Sequence, residues 1–242
     1  MNRRITTLAA ALHFCPTTAA AENLKREGVP AERIAVTGNT VIDAFVEVRE
    51  RIENDAALRQ ACHEQFPFLD SQRKLILVTG HRRENFGKPL AAICRALVRL
   101  SQRDDVQIVY PVHLNPNVQK TVRKMLDGAA NVTLLPPVDY PQFVYLLSRA
   151  AIVLTDSGGV QEEAPAAGKP VLVTRDTTER PEGIAAGTVK LVGADEDRIV
   201  AETSNLLDDA QAYAAMAKAI NPYGDGQAAT RVARRLAEEF SR

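Results

Sequence analysis

The chain has 242 residues, enough for one large domain or one and a half small ones. Apolar residues make up 45% and charged residues 25%, ordinary proportions for a globular protein. Thirty basic residues against thirty acidic ones leave no net charge, so nothing pulls the chain toward nucleic acid or an anionic membrane.

No apolar run reaches the roughly 18 residues of a membrane-spanning helix. Met1-Asn2-Arg3-Arg4 and the nearby LAAALHF have the outline of a signal peptide, but the apolar run is short and broken by Thr and His. Residues 1–12 read as the end of a helix and Leu12–Cys15 as a short buried strand. Thr17 or Thr18 caps the next helix, which Gly28 ends. Glu32–Gly38 is a second brief strand, and Asn39-Thr40 caps a helix through Val41, Ile42 and Phe45. Two such strands are too few for a stable sheet of their own, and the opening segments read as the last pieces of a domain. A polar helix from Arg49 to about Gln65 reads as a connector. Cys15, Cys62 and Cys94 form no CxxC pair, which fits a reducing cytoplasm and argues against a disulfide frame or a cysteine zinc site.

From Lys74 the pattern changes to repeated βα units. The strands are Leu75–Thr79, Val106–Tyr110, Val132–Leu135, Ile152–Thr155, Val171–Thr174 and Val189–Val192, each a short apolar run suited to burial on both faces. Pro89–Leu100 is a helix whose stripe of Leu90, Ile93, Cys94, Leu97 and Val98 faces a core. This alternation predicts an α/β fold with a Rossmann-like, doubly wound parallel sheet, which gathers ligands beyond the carboxyl ends of its strands. No GxGxxG fingerprint opens the sheet, so NAD and FAD have no support.

The chemistry-bearing residues fall at those strand ends. Ser157-Gly158-Gly159 make a turn on which backbone can approach a bulky anion, and the helix opening near Val160 presents N–H groups to phosphate. Glu163, about one turn further in, can accept hydrogen bonds from sugar hydroxyls. The competing reading is a tight turn with a solvated Glu pair. In GHRRENFG, His81 can donate to a phosphate oxygen or a departing nucleotide, and Arg82 or Arg83 can fork onto phosphate. Alternatively the arginines pair with Glu84 and His81 only caps the loop. His113 stands alone between prolines, and His13 and His63 read as structural. Phe143, in the first turn of the helix after Val138, can stack on a flat base, while Tyr145 and Leu146 read as core. Arg175 and Arg180 lie on a loop with Glu179 and Glu182, where an Arg facing the Ser-Gly-Gly turn completes a diphosphate clamp. NPYGDGQA (221–228) reads as a cap and hinge before the last helix.

HFCPT, VTGNTVIDA, ILVTGHRRENFG, YPVHLNPNV, TDSGGVQEEAP, GKPVLVTRDTTERPE, AGTVKLVG and NPYGDGQA together resemble the non-hydrolysing UDP-N-acetylglucosamine 2-epimerases. The resemblance implies a cytoplasmic isomerase with a two-domain, glycosyltransferase-B-like fold. This chain would supply its C-terminal domain: 1–40 the tail of the first domain, 41–72 a connector, 73–220 the UDP-binding domain and 221–242 a hinge and returning helix. It implies UDP or UDP-GlcNAc as ligand, no cofactor or metal, and a homodimer for full-length members. Uracil would lie on Phe143, diphosphate on Ser157, Gly158 and Gly159, and ribose on Glu163. His81, with a catalytic role, and Arg180 would stand near the phosphates. Val138 replaces a Gln of some members and offers only its backbone. Arg82 and His113 match a second, activating nucleotide-sugar site of some bacterial members. In the family the carboxylates acting at C2 belong to the first domain. One motif there carries paired glutamates just before an Asn-Arg, so in this sequence they are expected upstream of Met1. A UDP-sugar glycosyltransferase of the same fold, and a non-catalytic UDP-binding module or half of a split enzyme, stay open as alternatives.

Overall fold

The computed structural model describes residues 2–241. Helix α1 (Asn2–Ala9) leads to strand β1 (His13–Cys15), helix α2 (Thr18–Arg26) and strand β2 (Ile34–Val36). Thr17 caps α2 as expected, its hydroxyl accepting from the Ala20 amide at 3.1 Å. The two strands pair in parallel as a separate two-stranded sheet, shorter than the sequence suggested because Ala31–Arg33 coil into a 3-10 turn ahead of β2.

The predicted polar connector is not one helix. Helix α3 (Thr40–Asn54) runs on past Arg49, and a second helix, α4 (Ala56–Glu64), starts after a break. The cause is Asp55, whose extended backbone ends α3 while its carboxylate caps the Ala57 and Leu58 amides.

The remaining elements are β3 (Lys74–Thr79), α5 (Lys88–Leu100), β4 (Val106–Pro111), α6 (Pro116–Leu126), β5 (Val132–Leu135), α7 (Tyr140–Arg149) and β6 (Ile152–Thr155). Then come α8 (Val160–Ala166), β7 (Val171–Val173), α9 (Pro181–Ala185), β8 (Val189–Leu191), α10 (Glu196–Asp208), α11 (Ala210–Ala217) and α12 (Ala228–Phe240). Six strands pair in parallel in the order β5-β4-β3-β6-β7-β8, the doubly wound arrangement the alternation predicts.

Both faces of the sheet are covered. On one, Ile76, Val78, Ile108 and Leu154 pack with Leu90, Cys94 and Leu97 of α5, Val122 of α6 and Ile199 of α10. On the other, Leu75, Leu77 and Val153 pack with Phe45 of α3, Leu146 and Leu147 of α7 and Ala164 of α8. Cys94 is in the core as expected, and burial pushes its thiol up to about 12. Cys15, Cys62 and Cys94 are all free and buried. No described helix is long and apolar enough to cross a membrane.

The strand order reverses between β3 and β6, which are in register with Thr79 opposite Thr155. The loops leaving these strands therefore part to opposite sides, and the crevice of such a switch point opens beyond the strand ends, outside the contact of Gly80-His81 with Asp156.

Candidate functional site

Asp156 organises the crevice. It is 1% exposed, and its carboxylate accepts from the backbone amides of His81 (3.0 Å) and Arg82 (2.9 Å) and from Asn85 Nδ2 (3.1 Å). His81 Nδ1 lies 3.3 Å from the same group. A buried carboxylate is tolerated only when so satisfied, and here it fixes the basic loop against the end of β6. Gly80 has to be glycine, because a Cβ there would sit 2.7 Å from the Tyr110 hydroxyl.

The loop brings His81 against His113, while Arg82 reaches toward Gly158. The His81 and His113 rings stack with centroids 5.6 Å apart, and His113 Nδ1 accepts from the Asn115 amide at 3.1 Å. His113 thus has companions that its isolation between prolines hid. Glu84 does not pair with Arg82 or Arg83. It pairs with Arg175, which is 6% exposed and also held by Glu179 at 2.7 and 3.0 Å. Arg175 therefore ties one loop to another and does not clamp the turn.

Arg180 does face the turn. A Cβ built on Gly158 would lie 3.8 Å from Nη2 of Arg180 and 3.8 Å from Nη2 of Arg82. Arg82 Nε is buried with no hydrogen-bond partner, an orphan donor beside the turn. Among the described residues the Gly158 and Gly159 amides have no acceptor either. Two guanidinium groups and two open amides converge where the sequence predicted an anion.

The carboxylates behind the turn are buried, which overturns the alternative of a solvated Glu pair. Glu162 is 3% and Glu163 7% exposed. Glu163 Oε1 accepts from the Tyr140 hydroxyl at 2.7 Å, and burial raises its pKa from the usual 4.5 against the lowering effect of that bond. Phe143 and Val138 are half-buried against the α3–α7–α8 side of the sheet, and Tyr145 and Leu146 are core. Of the other histidines, His63 Nδ1 lies 3.2 Å from the Tyr145 hydroxyl and His13 Nε2 is buried without a partner.

Sequence reasoning placed Asp156 at the strand end without a role, and missed Gln161, Glu162 and Tyr223 as supports of this site. Gln161 is fully buried and joins the turn to the following loop, donating to Ser157 O at 3.1 Å and accepting from Thr178 Oγ1 at 2.6 Å. NPYGDGQA is more than a hinge. Tyr223 is buried and accepts from the Gly183 amide at 3.1 Å, while Gly224 packs on Gly38, a Cβ at Gly38 lying 3.3 Å from its Cα. The aromatic between Asn221-Pro222 and Gly224 was the available signal.

Fold and crevice define the class: a Rossmann-like α/β protein with a basic, glycine-turned ligand edge at its topological switch point. Comparison with known proteins narrows this. The family described as UDP-N-acetylglucosamine 2-epimerase matches residues 1–237, and the chain belongs to it. A probable UDP-N-acetylglucosamine 2-epimerase of Ralstonia solanacearum is 52% identical over 242 residues, 100% of this chain and 64% of the relative. The UDP-N-acetylglucosamine 2-epimerase of Salmonella typhimurium is 54% identical over 97% of this chain and 63% of its own length. The crystal structure of the Neisseria meningitidis UDP-GlcNAc 2-epimerase bound to UDP-GlcNAc superposes with a TM-score of 0.93 at 43% identity, over 98% of this chain and 64% of that one. The chain thus spans about 64% of the length of the relatives it matches. The expected glycosyltransferase-B-like fold stands with these neighbours.

Proposed function

We propose that this chain is the UDP-holding part of a non-hydrolysing UDP-N-acetylglucosamine 2-epimerase. The observation that carries the proposal is the convergence of Arg82, Arg180 and the open Gly158 and Gly159 amides on one turn, with Glu163 buried behind it. The diphosphate lies on Ser157-Gly158-Gly159, ribose hydroxyls on Glu163 and uracil against Phe143, with the backbone of Val138 beside it. His81 and Arg180 attend the phosphates, and His81 meets the negative charge of the departing UDP. His113, stacked on His81, and Arg82, which also reaches the turn, border a second nucleotide-sugar subsite beside the diphosphate.

In the reaction a base removes the C2 proton, the C1–O bond breaks with its electron pair leaving on UDP, and a glycal remains. UDP then adds back at C1 as C2 takes a proton on the other face. The buried carboxylates around the turn are already engaged: Asp156 by the His81 loop, Glu162 by Arg180 and Asn39, Glu163 by Tyr140. None of them stands free as the C2 base, so we assign the C2 proton transfers to other groups. The same reading divides the chain into 1–40, a connector 41–72, a nucleotide domain 73–220 and a returning segment 221–242. It is supported by the return of α12, where Arg231 Nη1 donates to Thr37 O at 3.1 Å and Arg235 Nη2 to Glu32 O at 3.1 Å.

Proton NMR of the chain with UDP-GlcNAc in D2O tests the proposal. Broadened nucleotide signals with the C2 proton retained are expected. C2 exchange with growth of the manno epimer would show that these carboxylates suffice. Unchanged spectra would contradict nucleotide binding, and sugar transfer to an added acceptor without C2 exchange would point to a glycosyltransferase.

A further inference from the structure

Glu162 is buried and engaged on both carboxylate oxygens behind the turn, and the nucleotide contacts proposed above give it no task. It is 3% exposed on α8, one residue before Glu163. Its Oε1 accepts from Arg180 Nε, its Oε2 from Asn39 Nδ2, and its backbone carbonyl from Asn221 Nδ2 at 3.0 Å. Asn39 is itself fixed: its Oδ1 caps α3 by accepting from the Val41 amide at 3.2 Å, so its Nδ2 has to face outward, toward Glu162. Its own amide donates to Tyr223 O at 2.7 Å. Three distant segments therefore meet on Glu162, the α3 cap and the α9 loop at its carboxylate and the turn before α12 at its backbone carbonyl.

The consequence falls on Arg180. Its Nε is taken by Glu162 and its Nη1 donates to Glu179 O at 3.2 Å. That leaves Nη2, which has no acceptor among the described residues and points at Gly158. An arginine on a loop has several rotatable bonds, and a buried carboxylate on its Nε removes that freedom before any ligand arrives. We propose that Glu162 is a positioning residue: it holds the Arg180 guanidinium aimed at the diphosphate turn, and Asn39 braces it from α3. The proposal rests on the nucleotide reading of the turn, and it adds how the clamp is preset and what it is anchored to.

Glu162→Gln tests it. A glutamine has one acceptor oxygen where Glu162 uses two, and with Asn39 Nδ2 and Arg180 Nε both donors, one of them has to lose its partner. Because Arg180 acts on the phosphates, the variant is expected to lose about tenfold in affinity for UDP, the scale of one charge-assisted hydrogen bond, and to bind uridine as the parent does. In an Arg180→Ala background the same substitution is expected to add nothing further for UDP. Equal loss of UDP and uridine, unchanged UDP affinity, or full additivity with Arg180→Ala would each overturn the proposal. A ligand-free readout keeps it separate from the nucleotide reading. The Arg180 Nε–H resonance is expected well downfield in the parent and shifted in Glu162→Gln, and Asn39→Ala, which leaves both charges, is expected to move it less. A parent chain that shows that resonance but binds no UDP would contradict the nucleotide reading alone. An Arg180 Nε–H signal indifferent to Glu162→Gln would contradict the positioning role alone.

Discussion

Glu163 shows at a single residue how function sets itself against stability. A carboxylate pushed above 4.5 by burial is easier to keep neutral in the folded chain than in the unfolded one. Its contribution to stability is therefore fully present below pH 4.5 and is lost as pH rises through the raised native value. At neutral pH the buried charge is a cost, so Glu163→Gln is expected to raise the melting temperature at pH 7. The advantage should shrink as pH falls toward 4.5, and scanning calorimetry across that range reads it. The same carboxylate should earn its place on ligand: Glu163→Ala is expected to weaken UDP binding by about 1–3 kcal/mol in isothermal titration. Undiminished affinity would remove Glu163 from the ribose. The sequence made this residue legible as an acceptor through its spacing from the glycine turn, but it gave no sign of Tyr140 as the partner or of burial. Those depend on α7 and α8 lying on the same face of the sheet, each packed against α3. Glu162 was harder still, because its partner Asn39 is 123 positions away in the chain.

At the scale of elements, the loop between β7 and α9 is held shut by charge. Arg175 hydrogen-bonds Glu179, and that bond holds the Glu179 carboxyl down to about 2. A depressed native value contributes stability above the ordinary 4.5 and loses it as pH falls through about 2. Glu179→Gln should thus lower the melting temperature at pH 6, with parent and variant converging as the solution approaches pH 2. A constant gap across that range would mean that the Arg175 pair does not hold the loop. Element existence in the βα region followed from short apolar runs and amphipathic stripes, which is why all six strands of the main sheet fall where the sequence put them. The break at Asp55 did not show. Asn54-Asp55 are weak helix formers set between two runs of good ones, and the Asp55 carboxylate starts α4 by capping the Ala57 and Leu58 amides.

For the whole molecule, stability and ligand edge are separable. The two cores lie on the faces of the sheet, while the crevice sits at the carboxyl end, where β3 and β6 part. Leu97→Ala removes a fully buried side chain from the α5 face and is expected to cost about 2–5 kcal/mol in urea unfolding. UDP affinity of the folded fraction should be unchanged, because Leu97 touches the core and not the crevice. A matching loss of affinity would show that core and crevice are coupled. The pairing of Gly38 with Gly224, the Tyr223 bond to Gly183 and the Thr17 bond to Glu182 (2.8 Å) tie the small sheet to the back of the same crevice. The sequence left this seam unread because it joins residues from the two ends of the chain.

The most direct test is a nitrogen-15 correlation spectrum of the chain titrated with UDP. The largest shifts are expected at the backbone amides of Gly158, Gly159 and Val160 and at the Arg82 and Arg180 side chains. Shifts that gather elsewhere, such as the groove lined by Arg49, Arg59 and Arg149 between α3, α4 and α7, would contradict the assignment of the turn as the diphosphate site.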